Sequence, residues 1–242
     1  LRLVARQAEA RGAAVYIVGG FVRDLLLDQP SLDFDLVVEG DAIGLAHDLA
    51  AACGGRVSSH SRFGTAKWHI DARHPGLTRA VAARKDPAPD LPASIDLVSA
   101  RTEFYAHPTA LPSVQRGSIK LDLHRRDFTV NTLALRLDGR HYGELLDPWG
   151  GGRDLGDRLI RVLHSISFID DPTRMLRAVR LEQRLGFTIE SRTLELMQQA
   201  MPLLGRVSGE RLRDELGLTF AESTAGAAMT RLHALGLLAA VH

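Results

Sequence analysis

The sequence predicts an α+β chain, an α/β half followed by an all-α half, on three observations. Strand-like runs at Tyr16-Ile17-Val18, Leu32-Asp33-Phe34-Asp35-Leu36-Val37-Val38 and Ile95-Asp96-Leu97-Val98 alternate with helix-like stretches over residues 1–147. Asp147-Pro148 followed by Trp149-Gly150-Gly151-Gly152 then punctuates the chain as a hinge. Beyond it, residues 148–242 carry only helical spacing.

Taken in order, Leu3, Val4 and Ala8 give a helix over Leu1 to Arg11, and Tyr16-Ile17-Val18 a strand running into Gly19-Gly20. Val22 to Leu27 continues as a helix that ends near Asp28-Gln29-Pro30, before the strand that carries Asp33 and Asp35. Ala42 to Ala52 reads as a helix closed by Gly54-Gly55. Short strands at Val57 and at Lys67 to Ile70 flank the turn Arg62-Phe63-Gly64-Thr65. Asp71 to Pro92 and Glu103 to Lys120 are polar or proline-bearing and read as loops, while Phe128 to Leu137 is apolar at helical spacing. Past the hinge, helices are expected over Pro172 to Leu185, Arg192 to Met201, Gly209 to Leu216 and Ser223 to Ala240.

Composition narrows the classes. Hydrophobic residues make up 45% and charged residues 24%, ordinary for a globular protein with a core of its own. No apolar run reaches the eighteen or so residues of a membrane span, and no signal peptide is evident, so no membrane partner is expected. The single cysteine, Cys53, excludes an internal disulfide and fits a cytoplasmic setting; in Ala50-Ala51-Ala52-Cys53 it reads as buried filler. A net charge of +1 is too small to announce a polyanion by itself, so weak, salt-sensitive RNA binding is expected. The ten histidines show no zinc spacing. The chain begins with Leu1 instead of methionine, which reads as part of a longer protein. Oligomeric state is left open.

The chemistry concentrates at Asp33 and Asp35. Strand side chains alternate faces, so acids two apart point the same way while Phe34 and Leu36 point into the core. Two like charges on one face repel unless a cation lies between them, and Mg²⁺ favours carboxylate oxygens. At Gly19-Gly20 backbone amides can approach an anion without a Cβ in the way. A phosphate cradle followed by a metal-binding strand is what nucleotidyl transfer requires. A third carboxylate has to come from a neighbouring strand, and Asp96 is the acid embedded in a later strand-like run. Its plain alternative is a solvated edge residue, just as Arg23, one turn past Gly20, either reaches back over a triphosphate or pairs with Asp24 at the surface.

Two further clusters stand out. In His124-Arg125-Arg126-Asp127-Phe128-Thr129-Val130-Asn131, arginines at a helix start suit phosphate oxygens, Asp127 is a candidate cap, and Asn131 can bond ribose or phosphate. In Asp170 to Arg180, Asp171 before Pro172 marks a helix start, and Asp171, Arg174 and Arg177 recur on one face. That face is either a cap with a solvated arginine ladder or a base-reading edge. A carboxylate accepts from an exocyclic amine and a guanidinium donates to the adjacent ring nitrogen, a pattern that cytosine and adenine share.

With these motifs in hand, the chain resembles the bacterial class II tRNA nucleotidyltransferases (CCA-adding enzymes) and the related bacterial poly(A) polymerases. Val18 to Asp24 with Asp33-Phe34-Asp35 is similar to the family's first motif, Arg125 to Asn131 to its second, Asp147-Pro148 with the glycines to its hinge, and Asp171 to Arg180 to its base-recognition helix. The resemblance implies a nucleotidyltransferase head with a mixed β-sheet flanked by helices over residues 1–147, and a helical neck over 148–242. It implies Mg²⁺ on Asp33 and Asp35, while Asp96 stands as the candidate third catalytic acid on its place in a later strand. It implies that Asp171 and Arg174 template the incoming base with Arg177 assisting; Gly19, Gly20, Arg23, Arg126, Asp127, Asn131 and Arg180 are the further candidates for nucleotide binding. The implied reaction transfers CMP and/or AMP from CTP or ATP to the 3′ end of tRNA and releases pyrophosphate.

The sequence departs from the family pattern in three places. Asp170 stands where the family has Glu, the chain stops at His242 where family members continue into helical tRNA-holding domains, and Tyr105 to Pro112 is closer to the divided enzymes that add CC and A separately. The rivals are a poly(A) polymerase and, from another class, a nucleotide- or RNA-binding module without turnover. A dinucleotide-dependent dehydrogenase fits less well, since Gly19-Gly20-Phe21-Val22-Arg23 is not G-x-G-x-x-G.

Overall fold

The computed structural model describes residues 1–29, 31, 34–82, 91–104 and 113–241. The chain divides into two compact units, one of Leu1–Thr102, Val114–Arg125 and Asn131–Pro148, the other of Glu103–Ser113, Arg126–Val130 and Trp149–His242.

The first unit is laid out as α1 (Arg2–Ala10), β1 (Ala14–Val18), α2 (Gly20–Leu26), β2 (Asp35–Glu39), α3 (Ala42–Cys53), β3 (Arg56–His60), β4 (Thr65–His69), α4 (Pro75–Ala82) and β5 (Ser94–Ser99). A two-stranded ribbon of β6 (Arg101–Phe104) and β7 (Ser113–Arg116) follows, of which Glu103, Phe104 and Ser113 count with the second unit, then α5 (Ile119–His124), β8 (Ala134–Arg136) and β9 (Leu145–Leu146). Seven strands form one mixed sheet in the order β3-β4-β5-β2-β1-β8-β9, with β2 and β5 parallel and the other pairs antiparallel.

Alternation gives this sheet one apolar and one polar face. Ile17, Leu36 and Leu97 pair in register across β1, β2 and β5, and each is fully buried. α1 lies against β1, and α3 against β4 and β5, burying Val4, Ala8, Leu45 and Leu49. Each such leucine contributes about 1.5–3 kcal/mol relative to exposure. The start of α3 is held by Ser99 at the end of β5, whose Oγ accepts from the Ala42 N–H at 3.2 Å. The opposite face carries Ser58, Lys67, Asp96 and Asp35, register partners across β3, β4, β5 and β2.

On that same face, Tyr16 is 3% exposed. Burial, with Glu39 beside it, pushes the Tyr16 phenol up to about 12. Glu39 Oε1 in turn accepts from the Ile119 N–H at 2.6 Å, which ties β2 to the start of α5.

The second unit holds α6 (Gly151–Gly156), β10 (Leu159–Ile160), α7 (Ser167–Asp170), α8 (Arg174–Leu185), β11 (Thr188–Ile189), α9 (Ser191–Ala200), α10 (Gly209–Phe220) and α11 (Ala225–Ala234). Met175, Leu176, Ala178, Val179 and Leu181 make α8 its core helix, ended by Gly186 at φ 64°. The Glu190 side chain caps α9 by accepting from the Thr193 N–H at 2.8 Å.

Five expectations need correction. Phe128 to Leu137 is not a helix: Thr129–Asn131 forms a 3₁₀ turn, and Ala134–Arg136 is a strand paired with β1. Asp71 to Pro92 contains α4, anchored by the buried Leu77, and Glu103 to Lys120 contains β7 and the start of α5. The second unit is not purely helical, since β10 and β11 pair in parallel. The helix expected from Pro172 begins at Arg174, after a tight turn in which the Arg174 and Met175 amides bond three residues back.

Candidate active site

In the first unit the acids meet through sheet register. Asp35 opens β2, exposed, and its partner on the adjacent parallel strand is Asp96. Neighbouring strands lie about 4.8 Å apart and register partners share a face, so the two carboxylates stand side by side. Asp33 lies outside the described residues, as does the whole of Tyr105 to Pro112. Lys67, unremarked in the sequence, stands beside Asp96 on β4 and places its ammonium 3.0 Å from Asp96 Oδ2.

Gly19 has φ 71° and ψ −127°, a conformation open to glycine and costly for other residues. Its N–H is already bonded to the Leu133 carbonyl at 2.9 Å, so of the diglycine it is Gly20, the first residue of α2, whose amide suits an anion. Arg23 does not stand at the surface over this turn. It is 3% exposed, with Nε 2.8 Å from Asp24 Oδ1 and Nη1 2.6 Å from Asn131 Oδ1. Arg23 thus fastens α2 to the end of the second motif, and Asn131 is engaged by that contact instead of standing ready for ribose alone.

The second motif is shared between the units, with Arg125 and Asn131 in the first and Arg126 to Val130 in the second. Arg125 bonds the buried Asp122 at 2.8 Å. Arg126 is half-buried, and Thr129 Oγ1 donates to Asp154 Oδ2 at 2.6 Å. Asp127 is more than a local cap. Its Oδ1 accepts from the Phe128 N–H at 2.8 Å, and its Oδ2 accepts from Arg177 Nη1 at 3.1 Å.

The second unit links charges at the start of α8 to charges on α10. Asp171 Oδ1 accepts from the Thr173 N–H at 3.0 Å, the Thr173 hydroxyl at 2.6 Å and Arg211 Nη2 at 2.8 Å. All three bonds reach Oδ1 and none reaches Oδ2, so one oxygen is fixed and the other is left to accept from an outside donor. Arg174, 5% exposed, donates from Nη1 to Ser167 Oγ at 2.7 Å.

Arg177 lies between Asp127 and Glu215, and although burial opposes its charge, those two carboxylates hold its pKa above the usual arginine range. Arg180 reaches Glu215 Oε2 at 3.4 Å. The expected Asp171–Arg174–Arg177 face is thus present, but each member is held by a different partner. Burial also raises the Asp170 carboxyl. Sequence reasoning missed Lys67, Ser167, Arg211 and Glu215. For the last two there was a signal, because Ser208-Gly209-Glu210-Arg211 is a capped helix start with acid and base one turn apart on α10.

Residues 15–161 match the model of the poly A polymerase head domain. The chain belongs to the poly A polymerase head-domain family. Residues 186–242 match a second model, described as a probable RNA and SrmB-binding site of polymerase A.

Relatives of this head-domain chain are similar along most of its length. An A-adding tRNA nucleotidyltransferase of Geobacter sulfurreducens is 45% identical over 94% of the chain, and a CC-adding tRNA nucleotidyltransferase of the same organism is 36% identical over 88%. A solved structure of a CCA-adding enzyme in an apo form superposes with a TM-score of 0.86 at 40% identity over 99% of the chain. The chain spans 24% and 42% of the two relatives' lengths and 52% of the solved one.

Proposed function

We propose that this chain is the catalytic part of a template-independent RNA nucleotidyltransferase that adds CMP and/or AMP to the 3′ end of tRNA, with AMP addition the favoured specificity. The observation that carries this reading is the register pairing of Asp35, on the strand that follows α2 and the diglycine turn, with Asp96 on the strand beside it, two acids on one polar sheet face. The greater identity to an A-adding relative than to a CC-adding one favours AMP.

The donor set fits a divalent cation. Asp35 and Asp96 offer oxygen ligands side by side, as Mg²⁺ prefers, and the sequence adds Asp33 two residues before Asp35. When bound, Mg²⁺ supplies positive charge against the triphosphate and the attacking oxygen.

The chain's own groups position the reactants. In the reaction the RNA 3′-oxygen bonds to the α-phosphorus, the bond to the pyrophosphate oxygen breaks, and the hydroxyl proton leaves. Catalysis of such transfer is mainly placement and electrostatics. Gly20 lets a phosphate approach the backbone, and the buried Arg23 keeps α2 and Asn131 together so that this turn holds its shape. Asp171 Oδ2 suits the exocyclic amine of adenine or cytosine, and Arg174 suits the ring nitrogen beside it.

The second unit also carries the arginine-rich helix that, in this reading, discriminates against guanine and uracil. No helix among the described residues is long and apolar enough to cross a membrane. The test supplies labelled ATP or CTP, singly, with Mg²⁺ and tRNA shortened at its 3′ end. Addition of a single A is expected. A long A tail would replace the reading with poly(A) polymerisation, and tight nucleotide binding without incorporation would replace it with a binding module.

A further inference from the structure

Ser167 is wholly buried at the start of α7, yet carries a hydroxyl that no apolar packing role requires. Burying a hydroxyl is unfavourable unless it is hydrogen-bonded, and alanine would fill nearly the same space. Its Oγ is 2.7 Å from Arg174 Nη1. The same residue's carbonyl oxygen accepts from the Asp171 N–H at 3.2 Å and lies 3.5 Å from Arg174 Nη1. Ser167 is itself held in place, since its N–H donates to the His164 carbonyl at 3.2 Å. One buried residue therefore touches the backbone of the proposed base-reading acid and the guanidinium of the proposed base-reading arginine.

From this we infer that Ser167 is a positioning residue that sets base selection by holding Arg174 in a single orientation relative to Asp171. The inference rests on the reading that Asp171 and Arg174 recognise the base. An arginine has three methylenes of rotamer freedom, and a donor that wanders can satisfy more than one base edge. The Ser167 hydroxyl removes that freedom at Nη1, while its carbonyl fixes where Asp171 enters. Arg211 and Thr173 orient the Asp171 carboxylate from the opposite end, at Oδ1. Ser167 is thus to Arg174 what Arg211 is to Asp171.

A double-mutant cycle tests this. Ser167→Ala, Arg174→Ala and the combined variant are compared in kcat/KM for ATP and CTP against GTP and UTP, with thermal melting recorded alongside. Ser167→Ala is expected to lower the discrimination ratio about tenfold, equal to about 1.4 kcal/mol, mostly through a raised KM for the matched nucleotide. Adding it to Arg174→Ala is expected to lower the ratio no further. Equal, additive losses in the two backgrounds would mark a general packing role and overturn the inference, as would undiminished discrimination in Ser167→Ala while Arg174→Ala loosens it. Unchanged discrimination in Arg174→Ala would overturn the base-reading assignment itself, and this inference with it. If Ser167→Ala melts early, Ser167→Cys, nearly isosteric but a weak acceptor, is expected to show a smaller loss in the same direction, and no loss there overturns the inference.

Discussion

Asp35 and Asp96 are register partners on adjacent parallel strands, although sixty-one residues separate them in the chain. Nothing local links them. Their proximity comes from the order β4-β5-β2-β1 and from the apolar register of Leu36 with Leu97 on the reverse face, which fixes which side chains look outward. Slipping β5 by one residue would turn Asp96 into the core.

The first prediction follows directly. Asp35→Ala and Asp96→Ala should each reduce single-turnover incorporation on the order of 10²–10³-fold, the usual loss when one preorganised charge is removed from a transition state. Circular dichroism should be unchanged, because Asp35 is exposed and Asp96 partly so. Asp33→Ala is expected to behave like Asp35→Ala. A full rate in Asp96→Ala would reduce that residue to a strand acid paired with Lys67.

A second prediction concerns Arg211. Its Nη2 lies 2.8 Å from Asp171 Oδ1, and its side chain is 32% exposed, so water screens part of the contact. Arg211→Ala should cost about 1–1.5 kcal/mol, roughly tenfold in KM for the matched nucleotide, with kcat changed less. A fall in kcat at constant KM would mean that Asp171 is oriented by Thr173 alone.

How far the sequence could be read depends on how local each signal is. The Gly19-Gly20 turn, the Asp33/Asp35 strand and the Asp171-Pro172 boundary are written within a few residues each, and the sequence alone locates them. Phe128 to Leu137 is ambiguous because Val130, Leu133 and Leu137 fit a helical face while Leu133, Leu135 and Leu137 fit a strand. Pairing with β1, more than a hundred residues upstream, decided for the strand at Ala134–Arg136. α4 was hidden because Leu77 is the main apolar anchor in a polar, alanine-rich stretch. The site shows the same pattern: Asp171 and Arg174 were legible as a motif, but the partners that aim them, Arg211 on α10 and Ser167 on α7, become relevant only when the helices pack.

A third prediction concerns acid. Burial pushes the Asp138 carboxyl up, but the Arg136 guanidinium at 2.9 Å and the Val15 N–H at 2.9 Å outweigh it and leave its pKa below the ordinary aspartate value. A carboxylate with a depressed folded-state pKa adds stability above its unfolded pKa, near 4, and that stability is lost as pH falls through the folded value. Wild type should therefore lose stability as pH falls below about 4 more steeply than Asp138→Asn, which at pH 7 should already be less stable. Parallel urea midpoints for the two proteins across that range would remove Asp138 as an acid-sensitive tie between β1 and β8.

The last prediction concerns Arg177, which joins three parts of the second unit: α8, the Arg126–Val130 segment through Asp127, and α10 through Glu215. Asp127 and Glu215 are each 7% exposed, so Arg177→Met would take away the guanidinium that both buried carboxylates share and leave Glu215 to Arg180. Breaking a buried pair costs about 3–5 kcal/mol, and because the Arg177 side chain is 33% exposed a smaller loss, about 2–3 kcal/mol, is expected. The penalty belongs to the stranded acids and not to the missing arginine. Adding Asp127→Asn and Glu215→Gln to Arg177→Met should therefore recover part of the loss in chemical denaturation. If the triple variant is less stable than Arg177→Met alone, the arginine acts through packing against α10, and charge balance is not what holds the three segments together.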